Sequence, residues 1–301
     1  MSANNPPIPQ SSNPPIPQSS NPPTPALLSL VLILRPLEVP SGRAEFPTWW
    51  GRASQAALLD LVRRHAPALA EALHNGSSLR PYTASNLMGH FHPEHGAPRL
   101  DQHYWLRWTG LTAEISVLLR AYAETARGTI LELDHLPFQV EDVFIGGDHP
   151  WAGSASYNDL AGHFLPGAEI PRRVTLLLAS PVVFKSDGLT QPLPSPSLIF
   201  HSLLEKWNAF APVALMPELR RYVEECLVIS RFHLESRSVP IKEGGLRIGA
   251  VGKISFTTTN FDRFWMGQIH ALARFALFAG VGAGTAFGLG QTRSLSAWDE
   301  A

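Results

Sequence analysis

The chain has 301 residues and a formal net charge of -1, from 24 Lys plus Arg against 25 Asp plus Glu. Hydrophobic residues make up 45% and charged residues 16%, which provides for a sizeable buried core and excludes a largely disordered chain. The charge balance argues against an indiscriminate polyanion binder but leaves room for a basic groove on one face. The single cysteine, Cys226, excludes an internal disulfide framework and a Cys-based zinc finger, and fits a reducing, cytoplasmic compartment.

The first 25 residues repeat a unit, Asn5-Pro-Pro-Ile-Pro-Gln-Ser-Ser, again from Asn13 and in part from Asn21. Proline at this density blocks helix and removes backbone donors, so the segment reads as an extended spacer, with docking of a partner through its Pro-rich face as the alternative. After Ala26 the pattern changes. Residues 27–37 read as a buried strand, and Leu58, Leu59, Val62, Leu69 and Leu73 recur at helical spacing. Pro67 divides that stretch into two helices, the second closed at Asn75-Gly76 by a left-handed cap. Strands are expected near 79–87 and 103–108, a helix near 112–127 and one strand within 129–146. The second half repeats the order: strand 172–184, helix 197–210, strands 226–237 and 247–259, helix 261–279, strand 289–295. The fold expected is α+β, two tandem ferredoxin-like βαββαβ units. Their bounds are 26–165 and 166–301 behind the 1–25 tail. The apolar runs at 26–34 and 275–290 are too short to span a bilayer, so no membrane association is expected.

Gly280, Gly282, Gly284, Gly288 and Gly290 form a glycine-rich segment. A dinucleotide fingerprint follows a strand and opens a helix, whereas here a helix precedes the glycines and a strand follows; a P-loop Gly-Lys-Ser/Thr ending is also missing. Two readings remain. One is an αβ connection with Gly280 as helix cap; the other is a turn whose bare amides approach a phosphodiester chain. The stretch around these glycines, from Phe278 to Gln291, resembles the glycine-rich loop of the CRISPR-associated repeat endoribonucleases, which cut precursor CRISPR RNA within its repeats. Other stretches resemble the same family: Ser180-Pro-Val-Val-Phe-Lys185 with Leu193-Pro-Ser-Pro196, Ile199-Phe-His-Ser-Leu-Leu with Trp207-Asn208, His149-Pro-Trp-Ala-Gly153, and Leu73-His74 before Leu79-Arg-Pro-Tyr-Thr-Ala-Ser85. The likeness covers nearly everything after Ala26.

The resemblance implies cleavage without a metal or cofactor: the ribose 2′-hydroxyl attacks the adjacent phosphate, leaving a 2′,3′-cyclic phosphate and a 5′-hydroxyl. That chemistry needs a base, an acid and a cation for the developing charge. His74 matches the family's histidine, and its place at a helix end favours the imidazolium, a proton donor to the departing oxygen. The plain reading of His74 is a surface helix-capping residue. Arg80 stands where many members carry lysine; it can hold phosphate charge but cannot serve as a base. Some members carry a tyrosine on the preceding helix, where this chain has Leu58-Leu59, so the base is unassigned; His65 is a substitute or simply a helix-face residue. His90, His92 and His95, with His103 beyond, have the composition of a zinc cluster, but His-Pro loops also arise without ligands, and no metal is assigned. RNA contacts are expected from Arg172, Arg173, Arg231, Arg237, Lys242, Arg247 and Lys253, several of which alternate along strands and so share a face; a solvated face without ligand is the alternative. The partners implied are CRISPR repeat RNA and CRISPR effector subunits, the chain being a monomer or homodimer. A catalytically inactive RNA-binding subunit of an effector complex is the rival function.

Overall fold

The computed structural model describes residues 26–40, 45–75, 79–162, 169–186, 188–240 and 245–295; the Pro-rich tail, Gly76, His163 and Lys242 lie outside them. The first unit is built around β1 (Leu27–Pro36), which is buried along nearly all its length. Leu30, Leu32 and Leu34 face the core under the helices, while Val31 and Ile33 join a second cluster with Trp151. A strand covered on both faces reads as a continuous apolar run, and this one does. α1 (Gly51–His65) and α2 (Pro67–Asn75) are separated at Ala66, and Pro67 opens the second helix, where its missing N–H costs nothing. β2 (Tyr82–Ala84), β3 (Tyr104–Gly110) and α3 (Ala113–Thr125) follow.

The single strand expected within 129–146 is a hairpin of β4 (Ile130–Leu133) and β5 (Leu136–Phe144). It reverses at Asp134 and His135, whose φ values of 50° and 64° match the primed turns that suit strand twist. Without Asn-Gly or Gly there, periodicity alone ran through the turn. The stretch after it holds β6 (Gly153–Ala155) and α4 (Tyr157–Ala161), the latter opened by a Ser156–Asp159 capping box. The sheet order is β2-β3-β1-β5-β4, with β6 paired to the start of β1, all antiparallel.

In the second unit β7 (Arg173–Val182) is followed by the short hairpin β8 (Phe184–Ser186) and β9 (Leu189–Gln191), then α5 (Pro196–Phe210) and α6 (Leu219–Cys226). β10 (Leu227–Pro240), β11 (Leu246–Thr258), α7 (Arg263–Ala279) and β12 (Thr292–Leu295) complete it. The order β10-β11-β7-β12 is again antiparallel and repeats the βαββαβ arrangement of the first unit. Among the described residues no helix is long and apolar enough to cross a membrane.

The two sheets meet on their helix-free faces. Val31, Ile33, Trp105 and Phe144 of the first pack with Leu177 and Ala179 of the second, around Trp151 and Leu277. A helix leaves its last carbonyls without internal donors, and here both units supply them. The Leu277 carbonyl accepts from the Arg107 guanidinium, Phe278 from Thr109 Oγ1 at 2.7 Å, and Ala279 from Lys206 Nζ at 3.0 Å. The C-terminus of α7 is thus the rivet between the units, and two cations complement its dipole there.

Candidate functional site

The glycine-rich segment begins at this rivet. Gly280 ends α7 with φ 60°, Gly284 and Gly288 flank a single 3-10 turn (Thr285–Phe287), and β12 follows. The turn reaches into the first unit: Trp49 Nε1 donates to the Phe287 carbonyl at 2.9 Å, and Gly288 bridges Ser85 beyond the end of β2. Bare backbone is required for the turn to close. A Cβ on Gly282 would lie 2.4 Å from the Val183 carbonyl oxygen, and one on Gly290 would lie 2.1 Å from that of Val281. Gly280, Gly288 and Gly290 are buried, whereas Gly282 and Gly284 are partly exposed. Several amides are committed inside the protein: Gly280 N–H to Ala276, Gly282 N–H to Ser202 Oγ and Gly290 N–H to Pro181. The segment is first of all an interunit turn.

Lys206 organises it. Its ammonium, on the buried face of α5 at helical spacing from Ile199 and Leu203, donates toward the carbonyls of Ala279, Gly280 and Gly282 and toward Thr285 Oγ1, at 3.0 to 3.4 Å. Burial pushes its pKa down to about 7, against the opposing pull of the neighbouring Glu205 carboxylate. Sequence reading passed over Lys206, although its spacing from two core residues was the available signal. Arg107 was also missed. It is fully buried over the Trp151 ring at 5.4 Å, and desolvation depresses its pKa to about 9.

The basic strand residues share a face. β10 and β11 pair without slippage from Arg231↔Ser255 to Pro240↔Leu246, so Arg231, His233 and Arg237 stand on the side that carries Lys253 and Arg247. Lys253 is opposite Leu177 of β7, which belongs to the interunit cluster, so this is the helix-free face of the second sheet. Val239, directly opposite Arg247, packs with Val183, Leu289, Trp49 and Phe287, which brings this end of the hairpin against the glycine turn. Arg173 lies on the same face, opposite Thr257, and Arg172 stacks on Phe261 at 5.4 Å.

His74 is exposed in the last turn of α2. Arg80 folds back on that turn, its guanidinium donating to the Leu73 carbonyl, so the two residues stand together at the helix end. Arg80 is also five residues before Ser85, the partner of Gly288, which ties this helix end to the glycine turn. His65 is exposed at the end of α1, and Leu58 is buried in the core. His92 and His95 stack with centroids 4.0 Å apart, each Nδ1 accepting a nearby main-chain N–H at 3.4 Å. Among the described residues no group of three His, Cys, Asp or Glu is arranged to hold a metal ion.

Residues 176–292 match the family model described as CRISPR-associated endoribonuclease Cas6. No curated protein matches the chain by sequence. Solved structures match over nearly the whole of it. A Cas6 product complex is 27% identical with a TM-score of 0.70, covering 90% of this chain and 100% of the other. A second product complex, of a Thermus thermophilus Cas6, is 27% identical with a TM-score of 0.73, covering 90% and 99%. A histidine-to-alanine variant of Cas6 is 26% identical with a TM-score of 0.69, covering 91% and 100%.

Proposed function

We propose that this chain, which matches the CRISPR-associated endoribonuclease model over residues 176–292 and is similar in fold to Cas6 structures, cuts precursor CRISPR RNA within its repeats without a metal ion. The observation that carries the reading is the match, over 90% of this chain and at 27% identity, with Cas6 proteins in product complexes. The one-sided basic face supports it. Arg231, Arg237, Arg247 and Lys253 offer phosphate contacts beside the glycine turn, whose partly exposed Gly282 and Gly284 let a phosphodiester chain come close.

In this reading the ribose 2′-hydroxyl attacks the adjacent phosphorus, the P–O5′ bond breaks, and the products are a 2′,3′-cyclic phosphate and a 5′-hydroxyl. His74 donates its proton to the departing 5′-oxygen from the last turn of α2. Arg80, beside it, stabilises the charge that develops on the phosphoryl oxygens. The buried Leu58 offers no ionisable group, so orientation of the 2′-hydroxyl by the bound RNA carries much of the attack. The reaction belongs in the cytoplasm, with repeat RNA as substrate and effector subunits as recipients of the product, by a monomer or homodimer. Leu58-Leu59 also favours a second reading, an RNA-binding effector subunit that does not cut.

The test is incubation with cognate repeat RNA in excess EDTA, beside RNA with one 2′-deoxy sugar at the cut. A single cut in the first and none in the second is expected, with cutting lost in His74→Ala while binding persists. Tight binding without a cut in either RNA selects the second reading, and a His74→Ala protein that cuts at the wild-type rate removes His74 from the mechanism.

A further inference from the structure

A cavity of about 250 Å³ opens between α4, α5, α7 and the loop that follows α5. Its walls include Tyr157, Trp207 and Leu215, and its rim carries Val213, Met216 and Phe264, which are 68%, 48% and 50% exposed. The polar tips of the wall rings are already spent: Tyr157 OH donates to the Leu111 carbonyl at 2.9 Å and Trp207 Nε1 to Val213 at 3.0 Å. Asn208 holds the rim loop in place by bonding Leu215 through both its amide atoms. One polar group is left over. Gln268 lines the cavity, is 2% exposed, and has no partner for either its amide nitrogen or its oxygen. A buried amide in this state points to a ligand that supplies both an acceptor and a donor.

The start of the described chain lies at this cavity. Leu27 pairs antiparallel with Ala155, so the chain ahead of it runs toward Ser156 and the first turn of α4, where Tyr157 and Asn158 line the cavity. Ala26 itself packs on the cluster that holds Tyr157 and Trp207. The 25 residues before it contain three Asn-Pro-Pro-Xaa-Pro units and no charged side chain, matching a cavity whose lining has none either. One eight-residue unit in polyproline form spans roughly 25 Å, enough to cross the cavity from Ala26.

We propose that the Pro-rich segment of residues 1–25 docks on its own chain in this aromatic cavity. Prolines and the Ile8 or Ile16 side chain pack against Tyr157, Trp207 and Phe264, the way polyproline segments use aromatic grooves. Gln268 donates to a prolyl carbonyl, a strong acceptor that proline leaves unengaged, and accepts from a neighbouring main-chain N–H. Tethering places the segment at an effective concentration of order millimolar, so a contact of about millimolar strength is enough for half occupancy.

The test uses the full-length chain with photoreactive benzoylphenylalanine in place of Ile16, as a mixture of isotopically heavy and light protein. Light–light and heavy–heavy cross-links to the peptides around Tyr157–Ala161 or Val213–Met216 are expected. Val213→Asp, an exposed change that leaves the thermal midpoint in place, reduces their yield by about fivefold or more, the loss expected when docking weakens tenfold from half occupancy. Heavy–light cross-links show docking on a second copy and overturn the proposal. So do cross-links elsewhere, or a yield that Val213→Asp leaves unchanged.

Discussion

Replacing Lys206 with methionine tests the account of the glycine turn. Methionine keeps an unbranched apolar stem in the space occupied by the lysine chain, so the change isolates the ammonium. Its loss strips donors from the carbonyls of Ala279 and Gly280, which are buried, and from Gly282 and Thr285, which water can reach. Two buried orphaned acceptors cost about 1–3 kcal/mol each, offset by relief from burying a charge, for a net loss of about 3 kcal/mol at neutral pH. In a chain of this size that lowers the thermal midpoint by about 5 °C. The pH dependence sharpens the test. Burial depresses the folded pKa to about 7, whereas the unfolded lysine keeps its proton to about 10.5. Between these values the unfolded chain binds more protons, so wild-type stability gains with rising pH, by up to about 1.4 kcal/mol per unit, and loses it as pH falls toward 7. Lys206→Met removes that gain, and the gap between the two proteins widens with pH. Calorimetry from pH 6 to 10 reads it. A variant within about 1 kcal/mol of wild type at pH 7, or a gap that stays flat with pH, refutes the reasoning.

Gly282→Ala forces a left-handed alanine against the Val183 carbonyl and is expected to cost about 2 kcal/mol or more, while Gly146→Ala, whose Cβ meets nothing within 4 Å, is neutral in the same denaturation assay. Arg231→Ala and Arg237→Ala each reduce the slope of log affinity against log salt for repeat RNA by about 0.7–0.9, measured by filter binding at several salt concentrations; an unchanged slope removes that residue from the interface. His149, packed between Trp105 and Phe144 with its Nδ1 accepting the Trp151 N–H at 3.2 Å, has its pKa lowered by burial. Below the unfolded value of about 6.5 the unfolded chain takes up a proton that the folded chain refuses, so stability falls with pH there, and His149→Phe makes the fall shallower in acid denaturation.

Element type was legible wherever one period held for long enough. The run of β1, the split of α1 and α2 at Pro67, the α7 pattern and the glycines after it could all be read from spacing. So could the alternation of Arg231, Arg237, Arg247 and Lys253, because period 2 and an unbroken register are enough to share a face. The hairpin at Asp134-His135 was not, since neither residue announces a positive φ. Composition and local spacing therefore determined the two βαββαβ units, and family resemblance singled out His74 and Arg80. What the glycines do was decided only when Trp49, Ser85, Val183 and Lys206, distant in sequence, closed around them. A glycine in sequence records permission for an unusual backbone angle or a close approach; the partner that makes use of it is set by tertiary packing, as are the burial of Lys206 and Arg107 and the unmet amide of Gln268.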